Sequence, residues 1–181
     1  APAFVTSLFI SAVIVLLFTD YWHQILPNVI TLPGIIAGIV LSPFQEPAYF
    51  SDGAADYLAG IFWPSNPGKI LPWTGSLLGA LIGGGILLVV GWTYQVARKK
   101  QGLGMGDVKM MAFVGAFVGW RLAFLTIFTG SLLGSVMGIF LVLFRGRNLQ
   151  AKLAFGTFLG FSAVAALFFG LRLLEWYTTG R

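Results

Sequence analysis

GLGMGDVKMM (residues 102–111) sets one acid, Asp107, between the basic cluster Arg98-Lys99-Lys100 and a long run of hydrocarbon, and this junction decides the fold. From Met110 to Phe144 the only charged residue is Arg121. One membrane crossing takes about 20 predominantly apolar residues, so this run is too long for a single span. It is expected to break at Gly119-Trp120-Arg121, an interfacial Trp-Arg turn. The break leaves a short segment, Val108 to Gly119, and a full-length one, Leu122 to Phe144.

The rest of the chain has the same character. Of its 181 residues, 57% are hydrophobic and only 9% charged, against roughly 25% charge in soluble domains. The mean hydropathy is +0.89. Further apolar segments run from Val5 to Phe18, Val29 to Leu41, Ser76 to Tyr94 and Leu153 to Leu174. The expected fold is an all-α membrane protein: a polytopic bundle of about six transmembrane segments, some short, forming one domain over residues 1–181. Residues 44–73 form a polar, Pro- and Gly-containing loop, in which ADYLAGIFW is a candidate interfacial helix. Glycines recur four apart, as at Gly34 and Gly38, Gly79 and Gly83, Gly115 and Gly119, and Gly156 and Gly160. That spacing lets helix backbones approach closely in lipid.

Composition also excludes function classes. With no cysteine and a single histidine, His23, neither a thiolate nor a multi-histidine metal site can form, and no cofactor is expected. The net charge of +5 does not point to nucleic acid, because the basic residues cluster at the ends of spans. Alternating span directions put Arg98, Lys99, Lys100, Lys109, Arg145, Arg147 and Lys152 on one side. Lys69, Arg121, Arg172 and Arg181 fall on the other. The richer side is expected to be cytoplasmic, and the 44–73 loop extracytoplasmic.

Of the six acids, Asp20 and Asp107 alone fall on that basic side, and each abuts the end of a span. Both flank unusually short apolar segments, which points to helices that begin inside the membrane boundary. Non-helical backbone at that depth survives only where it is buried in protein or lines a wet cavity, and ionisable groups there are functional candidates. Two carboxylates converging in such a cavity can share a proton, one activating water and the other assisting the substrate carbonyl. Asp20 and Asp107 are therefore the expected catalytic pair of an aspartic protease.

The motifs around these acids resemble a known family. GMGD at Gly104 to Asp107 looks like the GxGD motif of intramembrane aspartyl proteases. The longer GLGMGDVKMMAFVGAFVGW resembles the second catalytic motif of type IV prepilin peptidases, including Lys109 two residues after the aspartate. FTDYWHQILPNVITLPG resembles their first motif, and LAFGTFLGFSA is similar to their Pro-Phe-Gly-Pro-Phe segment with both prolines missing. The resemblance implies a multi-pass peptidase of the bacterial inner membrane. Such an enzyme cuts the basic leader from prepilin or pseudopilin precursors at the cytoplasmic face, after a glycine and before a hydrophobic residue. It implies catalysis by Asp20 and Asp107, with Gly104 and Gly106 shaping the loop that presents Asp107, and Lys109 beside them. Many bacterial members also carry a region with two zinc-binding CxxC pairs, tied to N-methylation of the product. This sequence has no cysteine, and methyl transfer is not expected of it.

Rival readings share some of these features. A small transporter or channel would also have several spans and membrane-level acids, although its acids belong near the bilayer midplane. A membrane scaffold would tolerate loss of both aspartates. Another GxGD protease, such as a preflagellin peptidase, is a closer rival, against which the ILPN segment and the motif spacing favour the prepilin class.

Overall fold

The computed structural model describes residues 2–45, 47–50, 72–99, 104–145 and 154–179. Among them the regular elements are helical. They are α1 (Pro2–His23), α2 (Asn28–Leu41), 3₁₀ turns at Ser42–Phe44 and Pro47–Tyr49, α3 (Pro72–Arg98), α4 (Met105–Arg145) and α5 (Phe155–Ala165). One π-helical stretch, Ala166–Gly170, then joins α5 to α6 (Leu171–Thr179). Among the described residues four stretches are long and apolar enough to cross a membrane, namely Pro2–His23, Pro72–Arg98, Met105–Leu141 and Phe155–Leu174; Asn28–Phe44 is a shorter apolar piece. The protein is a polytopic all-α membrane protein, as its composition requires.

The long helix α4 is two segments. At Gly119 its backbone takes φ 75° and ψ 172°, a conformation open essentially to glycine alone. A Cβ on Gly83 of α3 would touch both the Met111 carbonyl and the Ala123 methyl, which lie on either side of that glycine. In a straight helix those two residues would stand about 18 Å apart. The chain therefore doubles back into a first arm (105–118) and a second arm (120–145), and the break falls where the Trp-Arg turn indicates. Gly119 rests on the Tyr49 carbonyl of the second 3₁₀ turn, leaving no room for a side chain. With both arms counted, and α5 to α6 taken as one span, the segments among the described residues number six.

The first arm is the centre of the bundle. Met110, Met111, Val114 and Ala116 are completely buried in it. On one side Phe9 of α1 stacks on Phe113 and Phe117, with ring centroids 5.5 and 5.1 Å apart. On another, Gly34 and Gly38 of α2 give room to the same two rings. On a third, Gly79 of α3 abuts Gly115 backbone to backbone, and buried Ser76 donates its hydroxyl to the Ala116 carbonyl. Close approach of this kind replaces the hydrophobic drive that lipid cannot supply between helices.

Helix ends extend beyond the apolar limits. α1 continues to His23 rather than stopping near Phe18, and α3 runs from Pro72 to Arg98 rather than from Ser76 to Tyr94. Intrahelical hydrogen bonds continue into the interface, where hydropathy no longer marks them. The candidate interfacial helix ADYLAGIFW, and Arg147 and Lys152, lie outside the described residues.

Candidate active site

The site is built from three helix ends. On α1 the buried residues are Val5, Phe9, Val13, Leu16 and Asp20. Their spacing of three and four is one helical stripe, so Asp20 continues the apolar face into the bundle. It lies one turn before the end of α1 and is only 5% exposed. Gln24, with φ 51°, closes the helix by donating its amide to the Asp20 carbonyl at 2.9 Å. Asp20 is thus inside the last turn of the first span, not just past it.

Asp107 comes from the first turn of α4, where its own amide donates to the Gly104 carbonyl at 3.1 Å. Its side chain is 9% exposed. Neither Gly104 nor Gly106 adopts left-handed backbone; what Gly106 provides is space, whereas a side chain at Gly104 would make ordinary contact. A Cβ at Gly104 would stand 3.5 Å from Asp107 Oδ2, and one at Gly106 would press on Leu26 at 3.0 Å. The Leu26-Pro27-Asn28 turn can therefore lie directly against the start of α4. Lys109 fastens the same junction, its Nζ donating to Asn28 Oδ1 at 2.9 Å. The two motifs are joined there, through residues 81 positions apart.

The third contributor was not singled out by residue type. Gly156 and Thr157 stand in the first turn of α5, within the segment LAFGTFLGFSA. A Cβ at Gly156 would lie 2.8 Å from Asp20 Oδ2 and 3.1 Å from Asp107 Oδ1, so both carboxylates flank one point above this glycine. Thr157 donates its backbone amide (2.6 Å) and its hydroxyl (3.0 Å) to Asp20 Oδ2. Nothing in the residue types advertised these roles; the only sequence signal was the resemblance of the segment.

The chemical capacity of this arrangement is that of a buried carboxylate pair. Two acids from α1 and α4 face one another across a glycine, with the amino ends of α4 and α5 turned toward them. Such ends carry free N–H groups and partial positive charge, which suit carboxylates. Arg98 and Lys99 close α3 at the same end of the bundle, and Lys109 lies one residue beyond the buried Val108. An apolar groove of about 360 Å³ between the second arm of α4 and α5–α6, lined by Leu125, Leu133, Phe161 and Phe169 among others, includes neither aspartate.

Fold and site together define a multi-pass helical membrane protein with a buried acid pair at one end of its bundle. Residues 7–139, a window that contains both Asp20 and Asp107, match the model of the type IV leader peptidase family, and the chain belongs to that family. It is 28% identical over 151 residues to a prepilin leader peptidase/N-methyltransferase of Pseudomonas putida, covering 83% of this chain and 44% of the relative. It is 28% identical over 158 residues to the protein of the same description from Pseudomonas aeruginosa, covering 87% and 47%. It is 33% identical over 147 residues to the leader peptidase HopD of Escherichia coli, covering 80% of each. The chain thus spans less than half the length of the first two relatives. No solved structure matches it.

Proposed function

We propose that this chain is an aspartic endopeptidase of the bacterial inner membrane that removes the basic leader from type IV prepilin or pseudopilin precursors. The observation that carries this reading is the meeting of Asp20 and Asp107, from distant parts of the sequence, over Gly156. In the proposed reaction one carboxylate takes a proton from water, and the water oxygen attacks the scissile carbonyl carbon. The other, protonated, carboxyl gives its proton to the carbonyl oxygen. Collapse of the tetrahedral intermediate then breaks the C–N bond: the first acid gives its proton to the leaving amine, and the second carboxylate takes back a proton from one hydroxyl as the carbonyl re-forms. All atoms come from water and peptide.

The basic end of the bundle supports a cytoplasmic location for the pair. A precursor whose apolar helix lies in the bilayer and whose leader stays at the surface would meet the acids at its junction. We assign cleavage after glycine and before a hydrophobic residue on the strength of family membership. Methyl transfer is not assigned to these 181 residues; the relatives described by that activity are covered over less than half their length, whereas the E. coli relative described only as a leader peptidase is covered over 80%.

The test is cleavage of a precursor with a Gly-Phe junction by purified protein in liposomes, comparing wild type with Asp20→Asn and Asp107→Asn. Cutting by wild type and by neither folded variant supports the reading. An inert wild type on several such precursors, or a variant with full activity, removes it and makes solute flux across the same liposomes the next measurement.

A further inference from the structure

Asp20 and Asp107 are not held alike. Asp107 is oriented by its position in the first turn of α4. Asp20, near the carboxyl end of α1, has no free amides of its own helix to face, yet its Oδ2 accepts two hydrogen bonds, both from Thr157. The amide of Thr157 is free to do this because it lies in the first turn of α5, where backbone N–H groups have no regular helical partner; its other contact, with the Ala154 carbonyl, is longer at 3.2 Å. The hydroxyl adds a second donor from the same residue. A carboxylate carries about four acceptor positions, two on each oxygen. Both positions on Oδ2 are therefore filled.

We infer that Thr157 is a positioning residue for Asp20: its amide and hydroxyl hold Oδ2 as a fixed acceptor, and so set the orientation in which the Asp20 carboxyl meets Asp107, water and substrate. This rests on the leader-peptidase reading for its catalytic meaning, but the contact itself does not. Thr157 lies outside the window matched by the family model. Proline, which stands at this place in the segment the chain resembles, could donate neither bond. The contact also explains the neighbouring glycine, since any side chain at 156 would wedge between the two carboxylates and break the alignment that Thr157 sets.

The experiment uses the whole chain in liposomes and two substitutions. Thr157→Val keeps the shape and the amide but removes the hydroxyl, whereas Thr157→Ser keeps both donors. With the Gly-Phe precursor, Thr157→Val is expected to lose about 10-fold in kcat with KM unchanged, the scale of one hydrogen bond to a charged group. Thr157→Ser is expected to stay within about 2-fold of wild type on the same reasoning. In parallel, the infrared carboxylate band assigned to Asp20 by its disappearance in Asp20→Asn should move in Thr157→Val and stay in place in Thr157→Ser. Wild-type kcat in Thr157→Val, or a band that does not move, overturns the inference. If wild type fails to cut at all, the leader-peptidase reading fails instead, and the infrared band still decides whether Thr157 holds Asp20.

Discussion

In the first arm of α4, Met110, Met111, Val114 and Ala116 are shut away completely, while in the second arm half or more of each of Leu132, Val136, Ile139 and Phe140 is exposed. Both arms are apolar and both are helical. In water such a contrast would be visible in sequence, because an exposed face would be polar. In lipid the outside is as apolar as the inside, so packing, not hydropathy, separates core from surface. What marks the first arm is its small residues and those facing it: Gly79, Gly83 and Gly84 of α3, and Gly34 and Gly38 of α2. The arm that carries Asp107 is also the arm that other helices enclose, so the acid pair stands on the most tightly packed segment.

The sharpest way to separate the arms is through activity. Asp107→Asn is expected to lower kcat by about 1,000-fold, within the range for losing a general acid or base, with thermal unfolding unchanged. Cleavage at more than a tenth of the wild-type rate would detach the first arm from catalysis. Next comes packing. Phe113→Ala should cost about 2–3 kcal/mol, a cavity term with little transfer term in lipid, whereas Phe140→Ala should stay within about 0.5 kcal/mol. Reversible unfolding in mixed micelles measures both, and equal losses would erase the contrast between the arms.

Within α3 the same contrast can be drawn between two glycines. A methyl at Gly79 would meet the Gly115 backbone, whereas Gly85 has nothing within 4 Å. Gly79→Ala should destabilise by about 2 kcal/mol through overpacking. Gly85→Ala should be neutral or stabilise by up to about 1 kcal/mol, since alanine is the better helix former. At the acid pair, Gly156→Ala should lose about 10-fold in kcat, because small displacements at a reacting centre are costly, with little change in unfolding. The smallest effect belongs to the clamp between motifs. Lys109→Met and Asn28→Ala should each cost about 1 kcal/mol or less as an exposed hydrogen bond, and the double variant should cost no more than either alone. Additive losses would show that the two side chains act separately.

Much of the architecture was legible in the chain. Apolar length established the spans, and the excess of residues between Met110 and Phe144 required a break, which the positive φ of Gly119 supplies. The two acids on the basic side stood out because hydrocarbon sequences carry so few charges. The roles of Gly156 and Thr157 were not legible, since a glycine and a threonine at a helix start look like ordinary packing and capping. The same holds for Lys109 and Asn28, whose contact spans 81 positions.

The sequence by itself determined that this is a helical membrane protein, where it must turn, and which two acids are out of place in lipid. These follow from local chemistry: the cost of bare backbone and of charge in hydrocarbon. Only the tertiary structure decided that Asp20 and Asp107 face each other over Gly156, that Thr157 holds one of them, and that the first arm of α4 rather than the second lies at the centre. Those facts depend on which small residue on one helix meets which backbone on another, and in a solvent as apolar as the core no local pattern records that choice.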